Sequence, residues 1–396
     1  MKLVVFSHKP CWLSADSPSG YATDGGFPFQ MRALSELFDA TILVVPCSEP
    51  LSRAGEISLE GHELSVAPVS APAGRGLARK LGLGFWLLRN TPTILRELVK
   101  ADAVHAAIPG DIGTIGMLLA FALRKPLFVR HCGNWLQPVT RAEHFWKWFM
   151  EKFAGTRNVM LATGGAPGPP SASNPNIRWI FSTSLAAQEL KTCSLRRESL
   201  PRTRVRLIIA CRQDTEKGSA IVIESLPYIQ RDFPQVTLDI LGDGPALGDL
   251  KRLAMKSQVS NKVTFHGKVN HRRVIEMLQN TDLFCYPTRA SEGFPKAVLE
   301  ALACGLPVIT TKVSVLPQLI ATGCGSLLEE ATPAALARAV CEILSDEELY
   351  CEMSSQAVKT AGHYSLEQWR DRIGYEVRAA WAEHAGKAWK ELRSNA

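Results

Sequence analysis

No uninterrupted apolar run in this chain reaches the roughly 18 residues of a membrane-spanning helix, so a spanning protein is not expected. The opening run, Met1 to Ser7, is too short for a secretory leader and reads as a buried first strand. None of the ten cysteines falls in a C-x2-C pair, which points away from a zinc site and from a disulfide framework. Cys304 and the others read as small buried hydrophobes in a reducing compartment. No Asp-x-Asp pair stands at the end of a predicted strand, so no divalent-metal motif is expected. Charge of either sign is modest. A net +7 suits anionic ligands or an acidic membrane surface but falls short of a nucleic-acid footprint. The expectation is a cytoplasmic protein, at most peripheral on the cytoplasmic membrane face.

What the chain does have is length and core. Its 396 residues are 46% apolar, enough for two domains. The most informative stretch runs from Ser291 to Thr310. Pro295 suits a first helical turn, Lys296 to Cys304 reads as a helix, and Gly305 with Pro307 ends it. Leu306 to Thr310 and Asp282 to Pro287 read as strands on either side. The unit is therefore strand, loop, helix, strand: the βαβ pattern of a parallel α/β sheet.

Two acids punctuate it, Glu292 and Glu300, with seven residues between them. Both fall near the carboxyl end of a strand, where open parallel sheets bind ligands. The N–H groups of Gly293, Phe294, Lys296 and Ala297 are candidate donors to a phosphate at the helix start. A carboxylate suits a vicinal diol. Phosphate, diol and further hydroxyls together describe a nucleotide sugar. Either acid alone reads more plainly as a solvated surface glutamate.

The string Glu292-Gly-Phe-Pro-Lys…Glu300-Ala-Leu-Ala-Cys-Gly-Leu-Pro-Val-Ile resembles the E-x7-E signature of family-four retaining glycosyltransferases with the GT-B fold. The resemblance implies that Glu292 contacts the donor sugar and Glu300 the ribose. It also implies that Gly293, Phe294, Pro295 and Lys296 line the diphosphate. It covers most of 205–365 closely and 1–200 by pattern only.

Further resemblances follow along the chain. Cys211-Arg212…Lys217-Gly218 resembles the family's diphosphate-binding loop, with Cys211 in place of Gly. A guanidinium and an ammonium at a helix N-terminus neutralise a leaving nucleotide, so these residues and the helix dipole are expected to replace a divalent cation. No metal and no cofactor are expected. Val269 to Arg272 resembles the segment over the base. Gly25 and Gly26 precede a helix expected over 28–38, and in the family such a pair faces donor phosphate or acceptor. Two departures stand out. The family's His-x-His-x-Pro reads His105-Ala106-Ala107-Ile108-Pro109, with Ala107 in place of the second His. The family's Gly-Gly-Pro reads Ser314-Val315-Leu316-Pro317. Arg130, His131 and Asn134 form a candidate acceptor-side cluster in which His131, or else His105, supplies the missing imidazole.

Ser7–Gly26 is expected as a loop, 51–74 shows only weak strand signals, and 193–204 reads as a polar, basic linker. The helix of 143–153 places Trp146, Phe149, Met150 and Phe153 on one face, with Trp148 projecting away. It either packs on the first sheet or meets an anionic membrane through Trp148, Lys147 and Lys152, with the basic stretch 75–100 as a second contact.

The expectation is therefore GT-B: two Rossmann-like doubly wound domains facing a central cleft. Residues 1–198 plus 366–396 form the acceptor side, with a returning C-terminal helix, and 199–365 the donor side. The expected reaction is transfer of a UDP- or GDP-linked sugar, with retention and without metal, to a glycan, lipid-linked sugar or small molecule. Expected catalytic residues are Arg212, Lys217, Glu292 and His131. A non-catalytic nucleotide-sugar-binding subunit and a nucleotide-sugar epimerase are the alternatives.

Overall fold

The apolar runs become parallel strands, and the amphipathic stretches between them become helices. A computed structural model of the chain describes residues 1–48, 56–72, 74, 76–200, 204–290 and 293–382, with backbone alone at 76–81. The first unit contains β1 (Lys2–Phe6), β2 (Cys11–Leu13), β3 (Tyr21–Thr23), β4 (Ala40–Ser48), β5 (Ile57–Ser58) and β6 (Leu64–Val69). It continues through β7 (Ala103–Ile108), β8 (Leu127–His131), β9 (Asn158–Thr163) and β10 (Ile177–Ile180). Its parallel order is β10-β9-β8-β7-β1-β4-β6, so the chain reverses direction across the sheet between β1 and β7. β2 pairs parallel with the end of β4, and β3 and β5 add antiparallel pairings. Ser7–Gly26, expected as plain loop, thus holds β2 and β3. Both strands are only three residues long, too short for a period-two pattern to register.

Alternation along these strands sorts the two faces. Val4, Phe6, Val104, Ala106, Leu127 and Val129 share one face with Trp86, Ile94, Leu98, Trp146 and Phe149 from the covering helices. Full burial of each such aliphatic side chain contributes about 1.5–3 kcal/mol before the chain-ordering cost. His105, Phe128 and Arg130 lie on the other face. There the helix Leu366–Trp381 returns to bury Trp369, Ile373, Val377 and Trp381, and the Trp381 indole N–H donates to Arg157 O at 2.8 Å.

The second unit holds β11 (Arg206–Ala210), β12 (Thr237–Leu241), β13 (Val263–Gly267), β14 (Leu283–Tyr286), β15 (Val308–Thr311) and β16 (Gly325–Leu328). All pairs are parallel, in the order β13-β12-β11-β14-β15-β16. This is a doubly wound sheet that switches direction between β11 and β14. The mixed α/β architecture with parallel sheets is that of GT-B proteins.

Contacts place Met1–Gly164, Gly168–Ser184 and the helix from Leu366 in the first unit, and Gly165–Pro167 and Leu185–Ser365 in the second. The boundary at Ser184 lies upstream of the expected 198. The basic stretch read as a linker is anchored to the second unit instead. The Arg197 guanidinium donates to Gln279 O at 3.0 Å and Thr281 O at 2.8 Å, and its backbone N–H donates to Ser354 Oγ at 2.8 Å. A cation on the last carbonyls of a helix is a favourable placement. Composition alone reads it as solvated.

Candidate functional site

The site is built where the second sheet switches direction. After β11 the chain turns through Cys211-Arg212-Gln213-Asp214 into a 3-10 turn, Thr215–Lys217, and then the helix Ser219–Ile229. Gln213 fixes this loop from beneath. It is fully buried, donates through Nε2 to Cys211 O (3.0 Å) and Leu241 O (2.8 Å), and accepts from Ser219 Oγ at 2.6 Å. Sequence reasoning passed over it as one more polar loop residue. Gly218 holds the next corner with φ 90°, and a Cβ there would lie 2.4 Å from Pro287 O. The loop is tied to the end of β14 as well, because Arg289 N donates to Glu216 O at 2.8 Å. Arg212 and Lys217 are thus carried on a braced frame. The Arg212 side chain is 72% exposed, with Nε 3.3 Å from Asp214 Oδ2, a surface pair of little energetic weight.

Of the acid pair, Glu292 lies outside the described residues. Gly293, Phe294 and Pro295 are buried and lead into the helix Lys296–Ala303. Its backbone ladder starts with Val298 N and Leu299 N donating to Pro295 O. The Phe294 ring tilts onto Tyr364 at 5.5 Å and so serves packing. Glu300 is only 9% exposed, on the buried side of that helix. His271 Nδ1 stands 3.6 Å from its Oε1, while His271 Nε2 is 3.8 Å from Glu189 Oε1. The expected base-covering loop, Val269 to Arg272, is partly helical. Asn270 caps the helix His271–Gln279 by accepting from Arg273 N, which makes His271 its first residue. Ser314 takes φ 53°, supplying the left-handed turn without the family's glycine.

The first unit departs further from expectation. Gly25 adopts φ 70° with open space where a Cβ would stand, and Gly26 caps the helix Phe27–Ser35. The proposed cluster of Arg130, His131 and Asn134 is not assembled. Neighbouring strand residues point to opposite faces, and register pairs Ala107 with Arg130 but Ile108 with His131. His131 therefore cannot supply an imidazole on the Ala107 side. It is buried edge-on to Trp135 and Trp146, at 5.4 and 6.3 Å between centroids, and burial lowers its pKa to about 4. His105 shares the Ala107 face but is fully buried. It stacks on Phe128 with Nδ1 3.1 Å from Phe128 O, and its pKa is lowered to about 3, chiefly by burial. Both rings are neutral structural histidines. Asn134 closes a turn with Gln137. The polar group beside Ala107 is Arg130, buried against Trp369 and donating to Gln30 Oε1 at 2.9 Å. That partnership joins residues 100 apart in sequence, so no local pattern signals it.

The family model for glycosyl transferases group 1 matches residues 194–360, the segment that carries Gln213, Lys217 and Glu300. The chain carries a glycosyl transferases group 1 domain on a GT-B fold. The chain is 29% identical over 177 residues to a GDP-mannose-dependent alpha-(1-6)-phosphatidylinositol monomannoside mannosyltransferase of Mycolicibacterium smegmatis, covering 42% of this chain and 45% of that one. It is 31% identical over 114 residues to the phosphatidylinositol N-acetylglucosaminyltransferase gpi3 subunit of Schizosaccharomyces pombe, covering 29% and 25%. The matched stretches thus span under half of each relative's length. Among solved structures, Anabaena Alr3699/HepE in complex with UDP superposes with a TM-score of 0.67 at 16% identity, covering 96% of this chain and all of that one. The likeness of fold covers 96% of this chain, while the family model matches 194–360.

Proposed function

We propose that the chain transfers a sugar, with retention, from a UDP- or GDP-linked donor to a lipid-linked or membrane glycan acceptor. The observation that carries this reading is the convergence at the second sheet's switch point. The braced Arg212–Gly218 loop follows β11, and the helix bearing Glu300 follows β14. Arg212, Lys217 and the start of helix Lys296–Ala303 hold the diphosphate, and Glu300 accepts from the ribose diol. As the acceptor oxygen attacks the anomeric carbon, the bond to phosphate breaks. The departing phosphate oxygen takes the acceptor's proton, while the two cations offset its charge without a bound metal. HepE binds UDP and the mycobacterial relative uses GDP-mannose, so either nucleotide fits.

The direct test is Glu300→Ala. Nucleotide binding should weaken by about 1.5–3 kcal/mol, the weight of a hydrogen bond to a charged group. Unchanged affinity in the folded variant would remove Glu300 from the site. Donor hydrolysis and transfer, assayed with and without acceptor, then separate a transferase from a silent binding subunit or an epimerase.

The membrane side of the proposal rests on a different helix from the one first considered. Helix Arg141–Phe153 packs Trp146, Phe149 and Met150 on the sheet, and Lys152 covers the half-exposed Trp148 at 5.3 Å. Helix Gly76–Lys100 buries Trp86, Ile94 and Leu98 while leaving Phe85 (72%), Leu88 (76%), Leu95 (41%) and Val99 (67%) exposed. These apolar residues fall at i, i+3, i+10 and i+14, a single stripe, with Arg89, Arg96 and Lys100 beside it. An apolar stripe edged by basic groups fits an anionic bilayer surface. No helix among the described residues is long and apolar enough to cross a membrane. Both curated relatives are named for phosphatidylinositol substrates, which supports an acceptor held in that surface. In liposome flotation the wild type should rise with anionic vesicles, less so at high salt. Replacing Phe85, Leu88 and Val99 together by Ser should leave the protein at the bottom, while Trp148→Ser should still float. Equal flotation of wild type and triple variant, or of neither, contradicts the membrane proposal.

A further inference from the structure

Glu300 does not stand alone at its site, and the residues around it have a geometry that the family motif does not specify. Three side chains from three helices meet in a row. Glu189 comes from Ala187–Cys193, His271 from His271–Gln279 and Glu300 from Lys296–Ala303. The imidazole is the middle member, with Nδ1 3.6 Å from Glu300 Oε1 and Nε2 3.8 Å from Glu189 Oε1. Two members are fixed from outside the row. Glu189 Oε2 accepts from Ala186 N at 3.1 Å, and the Asn270 cap fixes where His271 starts its helix. The Glu300 side chain is 12% exposed and that of His271 21%, so their interaction is screened far less than a surface pair. The ring also lines a pocket of about 450 Å³ with Glu189, Leu185, Thr192 and Ile275, while its Nε2 atom, on the Glu189 side, is itself buried.

We propose that His271 is a positioning residue that orients the Glu300 carboxylate toward a ribose diol, with Glu189 holding the imidazole from behind. The proposal rests on the reading of Glu300 as the diol acceptor. A carboxylate has about four acceptor positions on two oxygens. A diol needs those positions in a fixed plane, and a carboxylate left to rotate loses that orientation. An imidazole beside Oε1, itself set between two helices, restricts the rotation and leaves acceptor positions for two hydroxyls. Specificity for ribose over sugars lacking the diol then depends on a residue that need not touch the nucleotide.

The experiment is a ligand-by-variant cycle on the full chain. UDP and GDP, and their 2′,3′-dideoxy counterparts, are titrated calorimetrically into wild type, His271→Ala, His271→Asn and Glu300→Ala. In wild type the natural nucleotide should bind about tenfold or more tightly than its dideoxy form. His271→Ala should reduce that preference about tenfold while leaving dideoxy affinity within about twofold. Asn places its amide near the Nδ1 position facing Glu300 and should restore the preference to within about threefold of wild type. Should His271→Ala fail to fold, His271→Gln takes its place, since its amide reaches toward Glu189 and should lose the preference as Ala does. A preserved preference without the imidazole overturns the proposal. So does an equal loss for both ligands, which is the mark of a merely structural bridge. If Glu300→Ala itself keeps the preference, the parent reading falls. If Glu300→Ala loses it while His271→Ala does not, only the role of His271 falls. Failure of both UDP and GDP to bind the wild type removes both.

Discussion

Arg212→Ala and Lys217→Ala should each lower turnover by about two orders of magnitude or more, by analogy with lost oxyanion donors. Both groups are expected to act on the charge that accumulates on the departing phosphate. The effect should therefore appear in kcat at saturating donor rather than only in KM. Because both serve one oxygen cluster, the double variant should lose less than the product of the single losses. Neither change is expected to harm folding. Arg212 is largely exposed, and Gln213, Gly218 and backbone hydrogen bonds hold the loop frame. Full turnover in either folded variant would contradict the assignment. A chelator should leave the wild-type rate unchanged, and strict dependence on added magnesium or manganese would overturn the metal-free mechanism.

Gly218→Ala should be a strongly damaging small substitution at the site. The position needs φ 90°, and the new methyl would stand 2.4 Å from Pro287 O and 2.7 Å from Pro287 C. The left-handed backbone costs about 1–2 kcal/mol for a residue with a side chain. The overlap is with backbone, which cannot swing aside as a flexible side chain would. Together they should destabilise the fold by about 2–4 kcal/mol in urea titration, with turnover lost through displacement of Lys217. Gly84→Ala is the control. It lies within helix Gly76–Lys100 with nothing near its new methyl, and should stabilise by up to about 1 kcal/mol. Equal midpoints for Gly218→Ala and wild type would show that the loop relaxes around the methyl.

The contrast between the two units explains what the sequence made legible. In the second, the proposed ligand contacts fall in short contiguous strings, because a strand end, a loop and a helix start are neighbours along the chain. Cys211–Gly218 and Gly293–Glu300 were readable for that reason. Gln213, His271 and Arg197 were not, since each acts through partners from other elements. Asn270 did carry a usable signal as a helix cap, and it places His271 on the first turn. In the first unit the strands were legible as apolar runs, but the reading of His131 failed on parity. Proximity in sequence put it beside Arg130, whereas the pleat sends the two to opposite faces. The basic stretch 193–204 misled through composition, because one guanidinium finding three carbonyls turns an apparent tether into a fastening.

The returning helix Leu366–Trp381 has a consequence for how the protein is made. It supplies Trp369, Ile373, Val377 and Trp381 to a sheet whose strands all lie before residue 181. A ribosome therefore finishes every strand of the first unit long before it delivers the helix that completes the cover of one face, beside helix Phe27–Ser35. Throughout translation of the second unit, the part of that face formed by β9 and the side of Arg130 that meets Trp369 wait for their cover. The second unit has no such debt and can mature as soon as it emerges. The half translated first is thus the half completed last, and nascent chains stalled before residue 366 should be the ones that chaperones retain.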